Sequence, residues 1–182
     1  MKTFALTTSL IALMGTAAMA ENIGVSIVNF DNNFQTLLRQ GIEARAGEVG
    51  VSVQIEDAQN DSAKQLDQIN NFIASGVDAI IVNPVDTSAT QAMSDAAAAA
   101  NIPLVYVNRQ PINVDTLPDN QAFVASNEVE SGTLETIQLC DNWAGEGKTE
   151  VNVYVMQGEL SNQAAVQRTQ DIHDVMGDGR CK

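Results

Sequence analysis

Apolar runs typical of buried β-strands recur along the chain at nearly constant spacing. They begin at Ile23, Val51, Ala79 and Leu104, so a new run starts every 25 to 28 residues. Each interval contains apolar residues three and four positions apart, which is the spacing of an amphipathic helix. Strands that alternate with helices in this way form a parallel sheet flanked by helices, and the sequence therefore predicts an α/β fold.

The helices between these strands have recognisable ends. The first is predicted over about Phe34 to Val49 and is closed by Gly50, while the second follows a Ser62 cap and stops at Gly76. The third ends in an alanine run at residues 96–100, which favours a helix packed closely on the sheet. The inward face of the first helix is predicted to consist of Leu37, Leu38, Ile42 and Val49.

The pattern changes near residues 125–128, where we predict a crossover into a second domain. A short strand at residues 123–125 precedes it, and a helix at 128–143, a strand at 151–156 and a helix at 163–176 follow. We expect residues 21–125 to form an N-terminal lobe. Residues 126–182 are expected to form the start of a second lobe, which is incomplete because the sequence stops where another strand should begin.

The first 20 residues have the pattern of an export signal. Lys2 supplies a positive charge, an apolar run extends from Phe4 to Met14, and Ala18-Met19-Ala20 is a small-residue cleavage site. A membrane anchor is the alternative interpretation, but the run is shorter than a bilayer span. We predict cleavage after Ala20 and export of the mature chain to the periplasm.

The mature chain is strongly acidic. Loss of Lys2 changes the formal net charge from −14 to −15. Nucleic acids and anionic membranes would repel such a chain, so neither is an expected partner.

Polar residues follow each strand of the predicted parallel sheet. Strand-end loops of such a sheet lie on one edge, where open α/β sheets bind ligands. These loops are rich in amides and carry one guanidinium; they are residues 30–34, 59–61, 83–86 and 108–109. Amides and guanidinium groups can hold a polyhydroxylated molecule, and the Phe34 ring can cover its C–H face. The alternative is that they are ordinary turn residues.

Motifs for catalysis are weak, and we predict no enzyme activity, metal or cofactor. The segment GEGKT at residues 145–149 resembles the end of a phosphate-binding loop, but Asn142 replaces the first glycine and a strand follows instead of a helix. His173 is the single histidine and is interpreted as a solvated helix residue. Carboxylate pairs such as Asp57 with Asp61 show no sign of acid-base chemistry.

The mature chain contains two cysteines, Cys140 and Cys181. In an exported protein a structural disulfide between them is the default expectation, and the predicted topology brings both near neighbouring helix ends. Two free buried thiols remain the alternative.

The order of these motifs resembles one known family. The segments IGVSIVNFDNNF, DAQNDSAKQLDQI, GVDAIIVNPVD, IPLVYVNRQP, VASNEVESG and VMQGELSNQAAVQRT span nearly all of the mature chain. They are similar to the periplasmic sugar-binding proteins of bacterial ABC transporters, of the galactose- and ribose-binding type. The resemblance implies a two-lobed periplasmic-binding-protein type I fold, with parallel sheets flanked by helices. Its nearest match is to members that handle ribose-like sugars, inositols or rhizopines.

The resemblance also implies six ligand-binding residues. They are Asn32, Phe34, Asn108, Arg109, Asn162 and Arg168. Galactose binders have Asp, His and Asp where this chain has Asn32, Asn162 and Ala164, which argues against galactose or glucose. Their calcium loop is also absent, since GEGKTE lacks the spaced carboxylates.

We therefore expect a monomeric periplasmic protein that captures a sugar or cyclitol. The resemblance implies a permease of an ABC transporter, or a chemoreceptor, as its protein partner. Members of the family are about twice as long as a normal domain, so the chain is expected to be truncated in its second lobe. Two alternatives are a sugar-responsive transcription regulator, disfavoured by the signal peptide, and a secreted α/β enzyme acting on carbohydrate.

Overall fold

The protein is described by a computed structural model, which covers residues 21–181. Its centre is a five-stranded sheet in which all neighbouring strands are parallel, in the order β2-β1-β3-β4-β5. The strands are β1 (Asn22–Ile27), β2 (Ser52–Asp57), β3 (Ala79–Val82), β4 (Leu104–Val107) and β5 (Gln121–Val124). The predicted α/β fold with a parallel sheet is therefore confirmed. The predicted signal peptide lies outside the described residues.

Within the described part of the chain, five α-helices accompany the sheet. They are α1 (Asn33–Val49), α2 (Ser62–Ser75), α3 (Thr90–Ala99), α4 (Glu128–Gly145) and α5 (Gln163–Gly177). Gly50 and Gly76 end α1 and α2 in left-handed conformations, as predicted. The predicted Ser62 cap is wrong by one position, because the Asp61 carboxylate accepts the N–H groups of Ala63 and Lys64. No helix within residues 21–181 is long and apolar enough to cross a membrane.

The sheet separates two apolar clusters. On one face, α2 and α3 cover strands β3 and β4, with Phe72, Met93 and Tyr106 fully or almost fully buried. On the other face, α1 packs on β1 and β2 around Val25 and Ile27. Successive side chains of a strand point to opposite faces, so the central strand β3 contributes Ile80 and Val82 to the first cluster and Ile81 to the second.

The predicted inward face of α1 is only partly correct. Leu38 and Ile42 pack against the sheet, but Leu37 and Val49 are 58% and 50% exposed. Both line an open apolar groove beside β1 and β2. Within the described chain α1 is the one helix that contributes to this cluster, so its flanks stay uncovered.

The predicted strand at residues 151–156 is wrong. This segment is irregular and exposed, and no strand in residues 21–181 pairs with it. A strand requires hydrogen bonds from a neighbour, and its alternating apolar residues alone do not provide them. The predicted strand at 123–125 is shifted and forms as β5.

Gly24 is required by close packing between β1 and α2. A Cβ atom added there would lie 2.5 Å from the Phe72 ring. We expect Gly24→Ala to lower the free energy of unfolding by about 1–3 kcal/mol through overpacking. Gly47, in the interior of α1, has open space, so Gly47→Ala should raise stability by about 0.5–1 kcal/mol. Urea unfolding of both variants checks this, and equal effects would contradict it.

Tyr106 should make the fold sensitive to alkali. Its hydroxyl donates to the Thr90 carbonyl at 2.9 Å, and burial, aided by the charge of Asp95, raises its pKa from 10.0 to about 12 against the opposing effect of the Ser94 hydrogen bond. Between these values the unfolded chain loses the phenolic proton before the folded protein does, so stability should fall as pH rises, by about 2–3 kcal/mol in total. Urea unfolding from pH 9 to 12 measures the loss. Tyr106→Phe should lose this part of the pH dependence, and an unchanged slope would contradict the assignment.

Candidate functional site

The loops that follow the strands meet at the carboxyl edge of the sheet. The Asn29 side chain donates to the Asn60 side chain at 2.8 Å, which joins the loops after β1 and β2. After β4, Asn108 adopts a left-handed conformation with φ of 66°, which asparagine tolerates better than most residues. This turn directs Arg109 back toward the loop after β3.

Two buried glutamines of α2 hold the loop after β3 in place. Gln65 is fully buried, and its amide donates to the carbonyl of Asn83 while its oxygen accepts the N–H of Val85. Gln68 joins this network through the Ser26 hydroxyl. These hydrogen bonds therefore hold the backbone carbonyl groups of residues 83–85 in one orientation.

Arg109 uses one of those carbonyls. Its side chain is almost completely buried, and its Nη1 donates to the carbonyl of Val85 at 2.9 Å. Its Nη2 forms an ion pair of 3.1 Å with Glu159, which lies just before α5. Burial of a guanidinium requires such partners, and here they connect the sheet edge to the C-terminal part of the chain.

Helices α4 and α5 pack closely against each other. A Cβ atom at Gly132 would meet the Asp171 side chain and lie 3.0 Å from the Cα atom of Arg168, so the two backbones approach closely because this residue is glycine. The disulfide between Cys140 and Cys181 joins the other end of the pair, as predicted.

A polar crevice of about 350 Å³ lies between the sheet edge and this helix pair. Five of the six residues predicted to bind ligand line it: Phe34, Asn108, Arg109, Asn162 and Arg168. The sixth, Asn32, does not line it and caps α1 by accepting the N–H of Gln35. Ligand binding by these residues stays a prediction, but the fold brings five of them together.

Ser126 and Glu128 also line the crevice and were missed by the sequence analysis. Glu128 is the first residue of α4 and is buried. One of its carboxylate oxygens accepts the Ser126 hydroxyl at 2.7 Å, and the other accepts Nε of Arg168 at 2.5 Å. In the sequence, only the motif VASNEVESG pointed to Ser126 and Glu128, and it did not indicate that Arg168 is the partner of Glu128.

The charges of the crevice are balanced. Arg109 pairs with Glu159, and Arg168 pairs with Glu128. Helices α1, α4 and α5 all begin at this crevice, and their N-terminal dipoles add positive potential there. The crevice therefore offers hydrogen-bond donors to the oxygen atoms of a ligand. Because its arginines are paired with carboxylates, it has no excess positive charge that would require the ligand to be an anion. Within the described part of the chain no cluster of three or more His, Cys, Asp or Glu side chains is placed to hold a metal.

The helix pair is fastened to the sheet edge through Thr87. Its backbone N–H and its hydroxyl both donate to the Ser161 carbonyl, at 2.9 and 3.1 Å. The same hydroxyl accepts the N–H of Gln163, the first residue of α5. The Thr87 side chain therefore joins the loop after β3 to the start of α5, and we call this contact the Thr87 clasp.

A parallel sheet with a polar crevice at its carboxyl edge, closed on one side by a further helix pair, is the arrangement in which proteins of the α/β class commonly bind ligands. The chain matches the model of the periplasmic binding protein domain over residues 23–181. It belongs to the periplasmic binding protein family.

Two curated relatives support the assignment to this family. A protein of Rhizobium meliloti named "Putative rhizopine-binding protein" is 59% identical over the whole of this chain and 58% of its own length. The ribose import binding protein of Bacillus subtilis is 34% identical over 84% of this chain and 48% of its own length. The chain thus spans about half the length of the curated relatives it matches.

Solved structures of solute-binding proteins have a similar fold. An ABC transporter solute binding protein from Bacillus halodurans with bound myo-inositol has 34% identity and a TM-score of 0.78, covering 87% of this chain and 53% of that one. A Caulobacter myo-inositol binding protein has 22% identity and a TM-score of 0.79, which supports the fold.

The Thr87 clasp can be tested by removing its hydroxyl. We expect Thr87→Val to lower the free energy of unfolding by about 1 kcal/mol, because the Gln163 N–H loses its acceptor. Hydrogen exchange of the Gln163 amide should accelerate in the same variant. Thr87→Ser keeps the hydroxyl and is the matched control. Equal exchange at Gln163 in both variants would contradict the clasp.

Proposed function

We propose that the protein captures a neutral sugar or cyclitol in the crevice and delivers it to an ABC importer. The observation that carries this proposal is the convergence of Asn108, Arg109, Asn162 and Arg168 beside the half-exposed ring of Phe34. Amide and guanidinium groups donate hydrogen bonds to hydroxyl oxygens, and an aromatic ring covers the apolar face of a sugar or cyclitol ring. The role is binding without catalysis.

The pairing of charges supports a neutral ligand over an anionic one. Each arginine of the crevice already has a carboxylate partner, Glu159 for Arg109 and Glu128 for Arg168. A sugar phosphate or a uronate would bring a further negative charge close to those carboxylates, and like charges repel. Hydroxyl groups can instead use the guanidinium N–H groups that the carboxylates leave free.

A cyclitol is the ligand class that we favour. The relative from Rhizobium meliloti is named for rhizopine, and the Bacillus halodurans structure contains myo-inositol. Both are similar to this chain over most of its length. Ribose-like sugars are the next class, in view of the relative from Bacillus subtilis.

We propose the steps before and after ligand capture by analogy with the family. The exported protein would work as a monomer in the periplasm after cleavage behind Ala20, with residues 21–125 as one lobe and residues 126–182 as the start of the other. Closure of the two lobes on the ligand would create the form that docks on the membrane permease or on a chemoreceptor.

A thermal-shift and calorimetry panel tests the proposal. Neutral compounds (myo-inositol, D-ribose, D-glucose) are compared with the anions D-glucuronate and myo-inositol 1-phosphate. A neutral ligand at 100 times its dissociation constant should stabilise the protein by about 2.7 kcal/mol. Preference for the anions would contradict the proposal, as would the absence of any shift with a neutral compound.

Phe34 should contribute to affinity without contributing to the fold. Its ring is 53% exposed at the crevice, so Phe34→Ala should leave the melting temperature of the ligand-free protein unchanged. We expect the dissociation constant for the best neutral ligand to rise about tenfold through loss of ring stacking. Phe34→Trp should retain binding, and Leu134→Ala, which truncates an equally exposed side chain of α4, is the control. An unchanged dissociation constant in Phe34→Ala would exclude Phe34 from the site.

A further inference from the structure

We infer that Glu128 is a positioning residue, which fixes the guanidinium of Arg168 in the crevice so that it can receive ligand hydroxyls. The ligand part of this inference rests on the proposed function. The positioning itself is a property of the ligand-free protein, so the two can be tested separately.

The Glu128 carboxylate is itself held on both sides. Ser126 donates to one oxygen at 2.7 Å, and Arg168 donates Nε–H to the other at 2.5 Å. The side chain of Glu128 is 8% exposed, so water does not readily replace either partner. The carboxylate therefore has a fixed position relative to the first turn of α4, where a negative charge is also favoured by the helix dipole.

Arg168 is less confined by its surroundings. Its side chain is 42% exposed, and its one other ionic neighbour among residues 21–181 is Glu135, which lies 4.0 Å from Nη1 and is itself exposed. An arginine side chain with this exposure samples several rotamers unless a strong partner restricts it, and ordering such a side chain costs entropy. Glu128 supplies that restriction before the ligand arrives.

The geometry of the contact preserves the binding groups. Glu128 accepts Nε–H, the donor nearest the aliphatic part of Arg168, so the terminal Nη groups remain available to a ligand. A carboxylate that engaged both Nη groups instead would compete with the ligand. At metal sites, residues that orient a metal-binding side chain commonly contribute about 10- to 100-fold in affinity. We expect Glu128 to have a comparable effect on ligand affinity by orienting Arg168.

The close approach of α4 and α5 at Gly132 sets the distance between the two residues. Its Cα atom has no side chain between the helices, so the Arg168 backbone comes near enough for its Nε to reach Glu128. The ion pair of Glu128 and Arg168 thus connects the first turn of α4 with the second turn of α5, although the two residues lie 40 positions apart in the sequence.

The test compares three variants by calorimetry with myo-inositol and D-ribose as probes. Glu128→Leu removes both acceptors and should raise the dissociation constant about tenfold or more. Glu128→Gln retains one neutral acceptor and should give an intermediate value. Glu130→Leu changes an exposed carboxylate in the same helical turn, and it should leave the dissociation constant unchanged.

A double-mutant cycle shows whether Glu128 acts through Arg168. In an Arg168→Gln background, Glu128→Leu should have little further effect on the dissociation constant, because the side chain that it positions is gone. Additive losses in the double variant would overturn the inference and indicate a separate effect on the fold. So would wild-type affinity in Glu128→Leu.

The arginine Nε–H signal in a ¹⁵N NMR spectrum tests positioning without ligand. In the wild-type protein the Arg168 signal, assigned by its loss in Arg168→Lys, should be separate from those of exposed arginines and exchange slowly with water. It should move to the position of the exposed arginines in Glu128→Leu and stay unchanged in Glu130→Leu. If the wild type binds neither probe, the proposed function fails on that result alone, and this signal still decides the inference: an identical Arg168 signal in Glu128→Leu overturns it.

Discussion

The buried guanidinium of Arg109 is the constraint on which the rest of the site depends. A buried charge requires hydrogen-bond acceptors, and the two Nη groups of Arg109 find them in the Val85 carbonyl and in Glu159, while its buried Nε has no partner among the described residues. The Val85 carbonyl is available because Gln65 holds the loop after β3. Glu159 brings the segment before α5 to the same place. A single side chain thus links the sheet edge to the helix pair that completes the crevice.

The helix pair supplies the second half of this arrangement by a different means. It contributes no strand to the sheet, and its internal order comes from the close contact at Gly132 and from the disulfide near the other end. Its attachment to the sheet edge is polar, through Thr87 and Arg109. Because Thr87 and Arg109 are both buried, loss of either attachment would leave a buried polar group without its partner.

Local periodicity was sufficient to predict the parallel sheet and its helices, because alternation and helical spacing are properties of short segments. It failed where the outcome depends on distant partners. The segment at 151–156 alternates like a strand but has no neighbour among the described residues, and Leu37 has the helical spacing of a core residue without a covering element. Glu128 was missed for the same reason, since its partner Arg168 follows 40 residues later. The family resemblance implied six ligand-binding residues; five of them line one crevice, whereas Asn32 serves as a helix cap.

The unpaired segment at 151–156 has a consequence for the behaviour of this chain in concentrated solution. Its residues carry no charge, valine stands at every second position from 151 to 155, and Tyr154 and Met156 are almost fully exposed. Where no strand among residues 21–181 pairs with it, the backbone N–H and C=O groups of the segment form a template onto which an identical segment of another molecule can add as a strand. Association through this segment would be opposed by the large net negative charge of the chain, which keeps molecules apart at low ionic strength. Added salt weakens that repulsion and leaves the template intact.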